Sequence, residues 1–267
     1  AGQIELFKKI KHDMKILGNF IYAFENWGFS DAFSDMDNHK FMQLQRICLT
    51  IRSLCIMGDA ATTPVEVQKM LHETEFFSHF DYVFKQNPFD FEESSRPTFS
   101  KVQALMCSVA SRFIAANPKN QRMIFNSLPK ELWLLDDPSV APDCALLLME
   151  VYRNNQELCE QVKPSLIDLF GDLIKKERTS GKYVPWYISF YLAIVTACNL
   201  PVVRNQALVI KAIKRLGANN MFHLLQGHHG AERVMQLAAS FQSVGQLRDP
   251  EVSRWQSGDD AELIYYV

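Results

Sequence analysis

The stretch Ala145–Val162, ALLLMEVYRNNQELCEQV, most constrains what this chain can fold into. It reads as the end of one helix, a turn of two or three residues, and the start of another. Leu147, Leu148, Val151 and Tyr152 fall at i, i+1, i+4 and i+5, two adjacent rows of one helical face. Asn154 can stop that helix and cap the next, and Glu157 follows three residues later at capping-box spacing. Leu158 and Val162 then restart an apolar face. A helix pair hinged on a capped turn is the repeating unit of an α-solenoid, and the expected fold is all-α: an armadillo-like solenoid of stacked helix pairs.

The composition fits a packed helical protein. The chain has 267 residues, 48% of them hydrophobic, with 19 Phe and only 11 Gly, enough to bury a sizeable core. Lys+Arg 28 against Asp+Glu 30 leaves a net charge of −2. That balance gives no general field for nucleic acid or an anionic membrane. Cys48, Cys55, Cys107, Cys144, Cys159 and Cys198 sit mostly within apolar helical patterns, none in CxxC, and read as reduced core residues. The opening residues are not expected to form a signal peptide. The most apolar run, Tyr183–Cys198, is shorter than the roughly 20 apolar residues a membrane span needs, so it is expected to be a core helix.

Taken in order, an amphipathic helix is expected over 3–26, with Ile10, Met14, Leu17, Ile21 and Phe24 on one face. A loop should follow over Gly28–Asn38, then a helix to about Met57. Thr63 caps a short helix opened by Pro64 and ending near His72, and another runs from about Glu73–Glu75 to Gln86. Asn87–Pro97 is a loop. The helix over Thr98–Ala116 buries Phe99, Val102, Leu105, Met106, Val109 and Phe113 and stops at Asn117-Pro118, where Asn117 caps the next helix. After a loop around Leu134–Ala141 come the helix pair of the opening stretch and a helix over Pro164–Arg178. Lys182–Asn199, apolar nearly all round, should be the most central helix, paired with Pro201–Leu216. Residues 218–257 read as two helices joined by Gly227-His228-His229-Gly230, and Asp259–Val267 as an unfinished amphipathic piece, as in a fragment of a larger protein.

Asn-Gln recurs in NPKNQ (Asn117–Gln121), RNNQ (Arg153–Gln156) and RNQ (Arg204–Gln206), with the glutamines 35 and 50 residues apart. The first interval suits a helical repeat, and the second leaves room for one extra helix. Such amides have two roles open to them: capping helices and bridging neighbouring turns, or lining a groove that binds an extended peptide.

Catalytic and metal-binding patterns fail on spacing. From Asp35, an EF-hand would need an oxygen ligand at His39, Gly at Lys40 and Glu at Arg46. His228-His229 has no second ligand pair, Cys159 and His223 included. Gly171 to Gly181-Lys182 lacks a P-loop's glycine-rich cradle. The acid pairs Glu92-Glu93 and Asp136-Asp137 lie in expected loops, poor settings for acid–base catalysis. No enzyme, cofactor or metal is expected. Lys175, Lys176, Arg178 and Lys182 either complement a helix carboxyl end or, with Lys211, Lys214 and Arg215, form a basic surface for an acidic partner.

RFIAANPKNQRMIFNSLP (Arg112–Pro129) followed by LMEVYRNNQELCEQV (Leu148–Val162) resembles the homology (RIH) domain shared by ryanodine and inositol trisphosphate receptors. The matching residues are Asn117, Asn120, Gln121, Asn154, Asn155, Leu158 and Cys159. YVPWYISFYLAIVTACNLPVVRNQALVIKAI (Tyr183–Ile213) resembles the helix pair that follows in inositol trisphosphate receptors, and SGDDAELIYYV (Ser257–Val267) the acidic-then-aromatic segment after it. The likeness is greatest to the second copy of the domain, in the central cytosolic solenoid. It implies one helical module over 1–267, with divergent helices at 1–60, an RIH-like core at 63–216, an inserted hairpin at 217–256 and the start of a further helix at 257–267.

The resemblance also implies a role. The chain would be a non-enzymatic coupling module of an intracellular calcium-release channel, passing conformational change between the ligand-binding region and the pore. Its partners would be other domains or subunits of a homotetrameric channel, with no nucleic acid and no membrane insertion by this segment. It would lie on the cytosolic face of the endoplasmic reticulum membrane. No ligand-binding, calcium-binding or pore residue carries over. An armadillo-type scaffold holding a peptide in its groove is the alternative.

Overall fold

The structure is a computed structural model that describes residues 2–34, 38–58, 62–90, 93, 96–129, 132–179 and 185–216. Side chains are described for the same residues except 22–34, 38–40, 88, 177–179, 185 and 216. The chain divides into two compact units, Ala1–Ala212 and Ile213–Val267.

The fold is all-α, a helical solenoid. Its helices are α1 (Gly2–Ser34), α2 (Asn38–Met57), α3 (Pro64–Glu73), α4 (Phe76–Lys85), α5 (Arg96–Ile114), α6 (Pro118–Ser127), α7 (Ala141–Tyr152), α8 (Gln156–Glu160), α9 (Pro164–Thr179), α10 (Pro185–Val195) and α11 (Val203–Leu216). Single 3-10 turns stand at Pro88–Asp90 and Trp133–Leu135. A two-residue ladder pairs β1 (Thr196–Ala197) with β2 (Leu200–Pro201), antiparallel. Helices α5, α7 and α10 form the central row. α2 and α4 pack on α5, α6 packs over α5 and α7, and α9 lies beside α10.

Local signals explain most boundaries. Thr63 and Glu66 form a reciprocal capping box ahead of Pro64, which satisfies two amides that helix geometry leaves free. Asn117 caps α6 through the Asn120 N–H, with Pro118 in the first turn. Gly58 closes α2 at φ +67, and a Cβ there would collide with the Thr62 carbonyl oxygen. Only glycine fits that turn.

The core runs through aromatic contacts. Phe76 meets Phe113 edge-on at 5.2 Å, Tyr152 bridges Phe125 and Phe190, and Phe170 stacks on Phe190 at 3.9 Å. The Tyr191 hydroxyl donates to the Ile167 carbonyl at 2.8 Å, tying α10 to α9. All six cysteines are free, five of them buried and Cys198 exposed. Burial pushes the Cys48 and Cys55 thiols up to about 12.

Three expectations about elements are corrected. The loop expected at Gly28–Asn38 is helical to Ser34, because one glycine costs a helix only about 1 kcal/mol and no proline precedes Pro64. The helix expected over Lys182–Asn199 ends at Val195, where Cys198 and Asn199 adopt φ 51° and 63° and turn the chain into the β1–β2 ladder. Two successive left-handed residues make the tight turn that suits a hairpin. Nor is that helix the most central. Leu192 on α10 is 57% exposed, whereas Leu147, Leu148 and Val151 of α7 are fully buried between its neighbours. The all-round apolar pattern of α10 therefore covers one buried face, with Phe190 and Ile194, and one open one, with Leu192. The expected 218–257 helices, the 257–267 segment, His223, His228 and His229 lie outside the described residues, as do Asp35 and Asp37.

Candidate functional site: an amide ladder between helix pairs

A helix ends with carbonyls that have no intrahelical donor. In this chain, amide side chains from other helices reach those carbonyls. Gln68 on α3 donates through Nε2 to the carbonyls of Arg112 and Ala115, both at 3.0 Å, at the end of α5. Its Oε1 accepts from Asn117 Nδ2 at 3.0 Å. Gln121 on α6 repeats the arrangement one helix pair on. It donates to the carbonyls of Glu150 at 2.8 Å and Arg153 at 3.0 Å, and accepts from Asn155 Nδ2 at 2.9 Å. In both copies the receiving carbonyls are three residues apart and the asparagine stands two residues further on. That asparagine also caps the next helix, Asn117 for α6 and Asn155 for α8 through the Leu158 N–H at 3.2 Å. Each clasp joins three helices.

Further contacts extend the ladder. Asn120 donates to the Phe113 carbonyl at 3.0 Å. The Cys159 thiol contacts the Tyr152 carbonyl at 3.2 Å and the Ala193 carbonyl at 3.6 Å, and Leu158 is fully buried. Asn205 on α11, fully buried, donates to the carbonyls of Cys159 at 2.7 Å and Ile194 at 2.9 Å. Gln103 on α5 reaches the ends of α4 at Val83 and Gln86. Proline stands at position 88, where the asparagine stands in the full copies, and Gln103 Oε1 is buried without a partner.

The structure thus brings Asn117, Asn120, Gln121, Asn155, Leu158 and Cys159 into one connected network. Asn154 has another place. It adopts φ 54° and ends α7, while Asn155 is the N-cap. This corrects the assignment of the cap to Asn154: of two adjacent asparagines, the first takes the left-handed position and the second the extended one. The Asn154 side chain and carbonyl instead receive the Cys198 N–H and thiol at 3.4 and 3.2 Å. Glu157 does not complete a capping box but pairs with Arg122. Gln156 turns outward to Glu160 at 2.9 Å, so Gln121 and Gln156 are not equivalent positions. Asn205 is the asparagine of the RNQ motif, whereas Gln68 and Gln103 lie outside the Asn-Gln motifs and join the network without a sequence signal.

Charge near the ladder is sparse. Glu150 is 5% exposed and paired with Arg153 at 3.1 Å. Burial holds its carboxyl above the ordinary range, opposed by the Arg153 and Arg112 guanidiniums. Lys175 and Lys176 are exposed, and Lys176 lies 4.0 Å from Asp136. Lys182 and the Arg178 side chain lie outside the described residues. Among the described residues there is no cluster of three or more His, Cys, Asp or Glu able to hold a metal ion. The amides are spent within the fold on helix ends, an arrangement that organises packing rather than chemistry.

The connected residues are those on which the family resemblance rests, and a family comparison agrees: the RIH domain matches residues 65–223, more than half the chain. The chain belongs to the RIH domain family. RIH domains belong to inositol trisphosphate and ryanodine receptor channels, where they are cytosolic and non-enzymatic. No curated protein sequence matches this RIH chain. Among its described residues no helix is long and apolar enough to cross a membrane.

Proposed function

We propose that this RIH module is a stiff coupling segment of an intracellular calcium-release channel, carrying motion between a ligand-binding region and a pore. Within the family, the reading is closest to the second RIH copy of an inositol trisphosphate receptor-like channel on the endoplasmic reticulum. Its partners are then other domains and subunits of the same homotetramer. The observation that carries the proposal is the pair of full amide clasps at Gln68 and Gln121. Helix pairs held only by apolar contact can slide by small steps, whereas directional bonds from one side chain to two carbonyls and a cap fix their register. A segment with fixed register transmits a displacement instead of absorbing it.

The test is made in the full-length channel that carries this segment. Gln68→Ala with Gln121→Ala should leave ligand affinity unchanged while lowering open probability at saturating ligand, and deletion of the segment should abolish the coupling. A channel that gates normally without the segment refutes the proposal.

A further inference from the structure

The N-terminal half of α1 carries a basic stripe that the fold does not use. Leu6, Ile10, Met14 and Leu17 are buried against the core. On the opposite side of the helix, Ile4, Lys8, Lys11 and Lys15 follow one another at i, i+4, i+7 and i+11, with His12 beside them, and all are exposed. Some lysines elsewhere stand one turn from a carboxylate of their own helix, as in Lys69–Glu73 and Lys85–Asp81, whereas Lys101, Lys119, Lys211 and Lys214 stand singly or in pairs on helices without an acid. Here Lys8 has Glu5 at 3.6 Å, with both side chains more than two-thirds exposed, a pair of little consequence in water. Asp13 lies on the flank of the stripe, toward Lys9, His12 and Arg46. No described carboxylate forms an ion pair with Lys11 or Lys15. Lys8–Lys11 and Lys11–Lys15 therefore repel at the spacings where opposite charges would support the helix. A local conflict without a gain inside the fold points outward.

We propose that this stripe is a docking surface for an acidic polypeptide segment, one with carboxylates on three successive helical turns and an apolar side chain at the end that meets Ile4. Lys8 to Lys15 spans roughly 10 Å at 1.5 Å per residue, two turns of a partner helix laid alongside. The cations are lysines, compact charges that suit carboxylates on a mobile partner, without the arginine forks that grip phosphate in two places. The apolar face of α1 is already committed to the core, so nothing remains to insert into a bilayer as an interfacial helix would. The footprint is also short of the several phosphate contacts that nucleic-acid binding uses. This surface stands independently of the channel reading, since it requires only α1 and its packing.

The probe is a fluorescein-labelled helical peptide with Glu at i, i+3 and i+7 and a terminal Leu, titrated into the 267-residue chain by fluorescence anisotropy. Binding should weaken steeply between about 50 and 200 mM salt. Lys8→Gln with Lys11→Gln and Lys15→Gln should weaken it by roughly tenfold with unchanged circular dichroism, and Lys175→Gln with Lys176→Gln should leave it unchanged. The proposal is overturned if the parent does not bind the peptide, if the triple variant binds as well as the parent, or if phosphatidylserine vesicles or RNA compete for the stripe and bind it more tightly.

Discussion

Replacing Gln121 by leucine tests the clasp directly, because the volume is nearly kept while every polar bond is lost. Three hydrogen bonds disappear: to the carbonyls of Glu150 and Arg153, and from Asn155 Nδ2. At about 0.5–1.5 kcal/mol net for each, and with Gln121 only 1% exposed, the loss should be about 2–4 kcal/mol. The Glu150 carbonyl bears most of it, since its bond to Gln121 is buried; the Arg153 carbonyl and the Asn155 amide are nearer solvent and regain water in part. Gln121→Glu is the sharper probe. A carboxylate still accepts from Asn155 but sets a negative oxygen against two carbonyls, so the native state raises its pKa above the unfolded value. The variant should then be less stable than the parent at pH 7.5 and gain stability as pH falls through the native pKa, when the protonated acid regains one donor. Urea unfolding followed at 222 nm gives the stabilities, and hydrogen exchange of the Cys159 amide, bonded to the Asn155 carbonyl, reports whether α8 loosens with the clasp. A loss below about 1 kcal/mol for Gln121→Leu, or a Gln121→Glu variant as stable as the parent at pH 7.5, refutes the reasoning.

Three other outcomes follow from neighbouring groups. Gln103→Leu should cost less than Gln121→Leu in the same urea assay, because Gln103 Oε1 has no partner to lose and the Gln86 carbonyl keeps its bond from Trp133 Nε1 at 3.2 Å. Glu150→Gln should stabilise the chain at pH 7, where burial penalises the carboxylate, and this gain should fade as pH falls below the carboxyl's raised native pKa and the parent protonates; a constant difference across that range would contradict the sign. His79 packs against α1, where a Cβ on Gly18 would lie 3.1 Å from its Cε1, and burial lowers its pKa against the opposing pull of Glu75. The neutral imidazole therefore contributes stability above the ordinary histidine value that is lost as pH falls through it, and amide protection in α1, taken relative to the intrinsic exchange rate at each pH, should fall between pH 7.5 and 5.5 in the parent but not in His79→Gln.

Local signals in the sequence were sufficient where a boundary is made by residues next to one another. Thr63-Pro64 and Asn117-Pro118 combine a side-chain acceptor with a fixed first turn, and both sit where the pattern puts them. Asn154 and Asn155 compete for two adjacent roles that both favour asparagine, so the pattern locates the turn but not the cap. The β1–β2 turn is illegible for a different reason: its left-handed residues are Cys198 and Asn199, and no glycine marks it. The ladder itself is illegible because its partners are remote. Gln68 meets carbonyls 44 and 47 residues away, and Asn205 one that is 46 away, and no local periodicity reports such a pairing.

That remoteness also explains why the repeat looks irregular. Counting between glutamines aligns Gln121 with Gln156, which faces Glu160 in solvent. The equivalence lies in the helix end that receives the amide: two carbonyls three residues apart, then a cap two residues on. By that rule Arg112, Ala115 and Asn117 correspond to Glu150, Arg153 and Asn155. Val83 and Gln86 begin the same series at the end of α4, but position 88 is proline, with no amide side chain to offer Gln103. The donor comes from α3, α6 or α5 in turn, before or after the receiving helix in the chain, so a sequence repeat of fixed length cannot describe it. The consequence is mechanical. The α5 and α7 ends each hold a complete three-way clasp, whereas the α4 end holds an incomplete one, and strain applied along the module should open the α4–α5 joint before the α6–α7 joint.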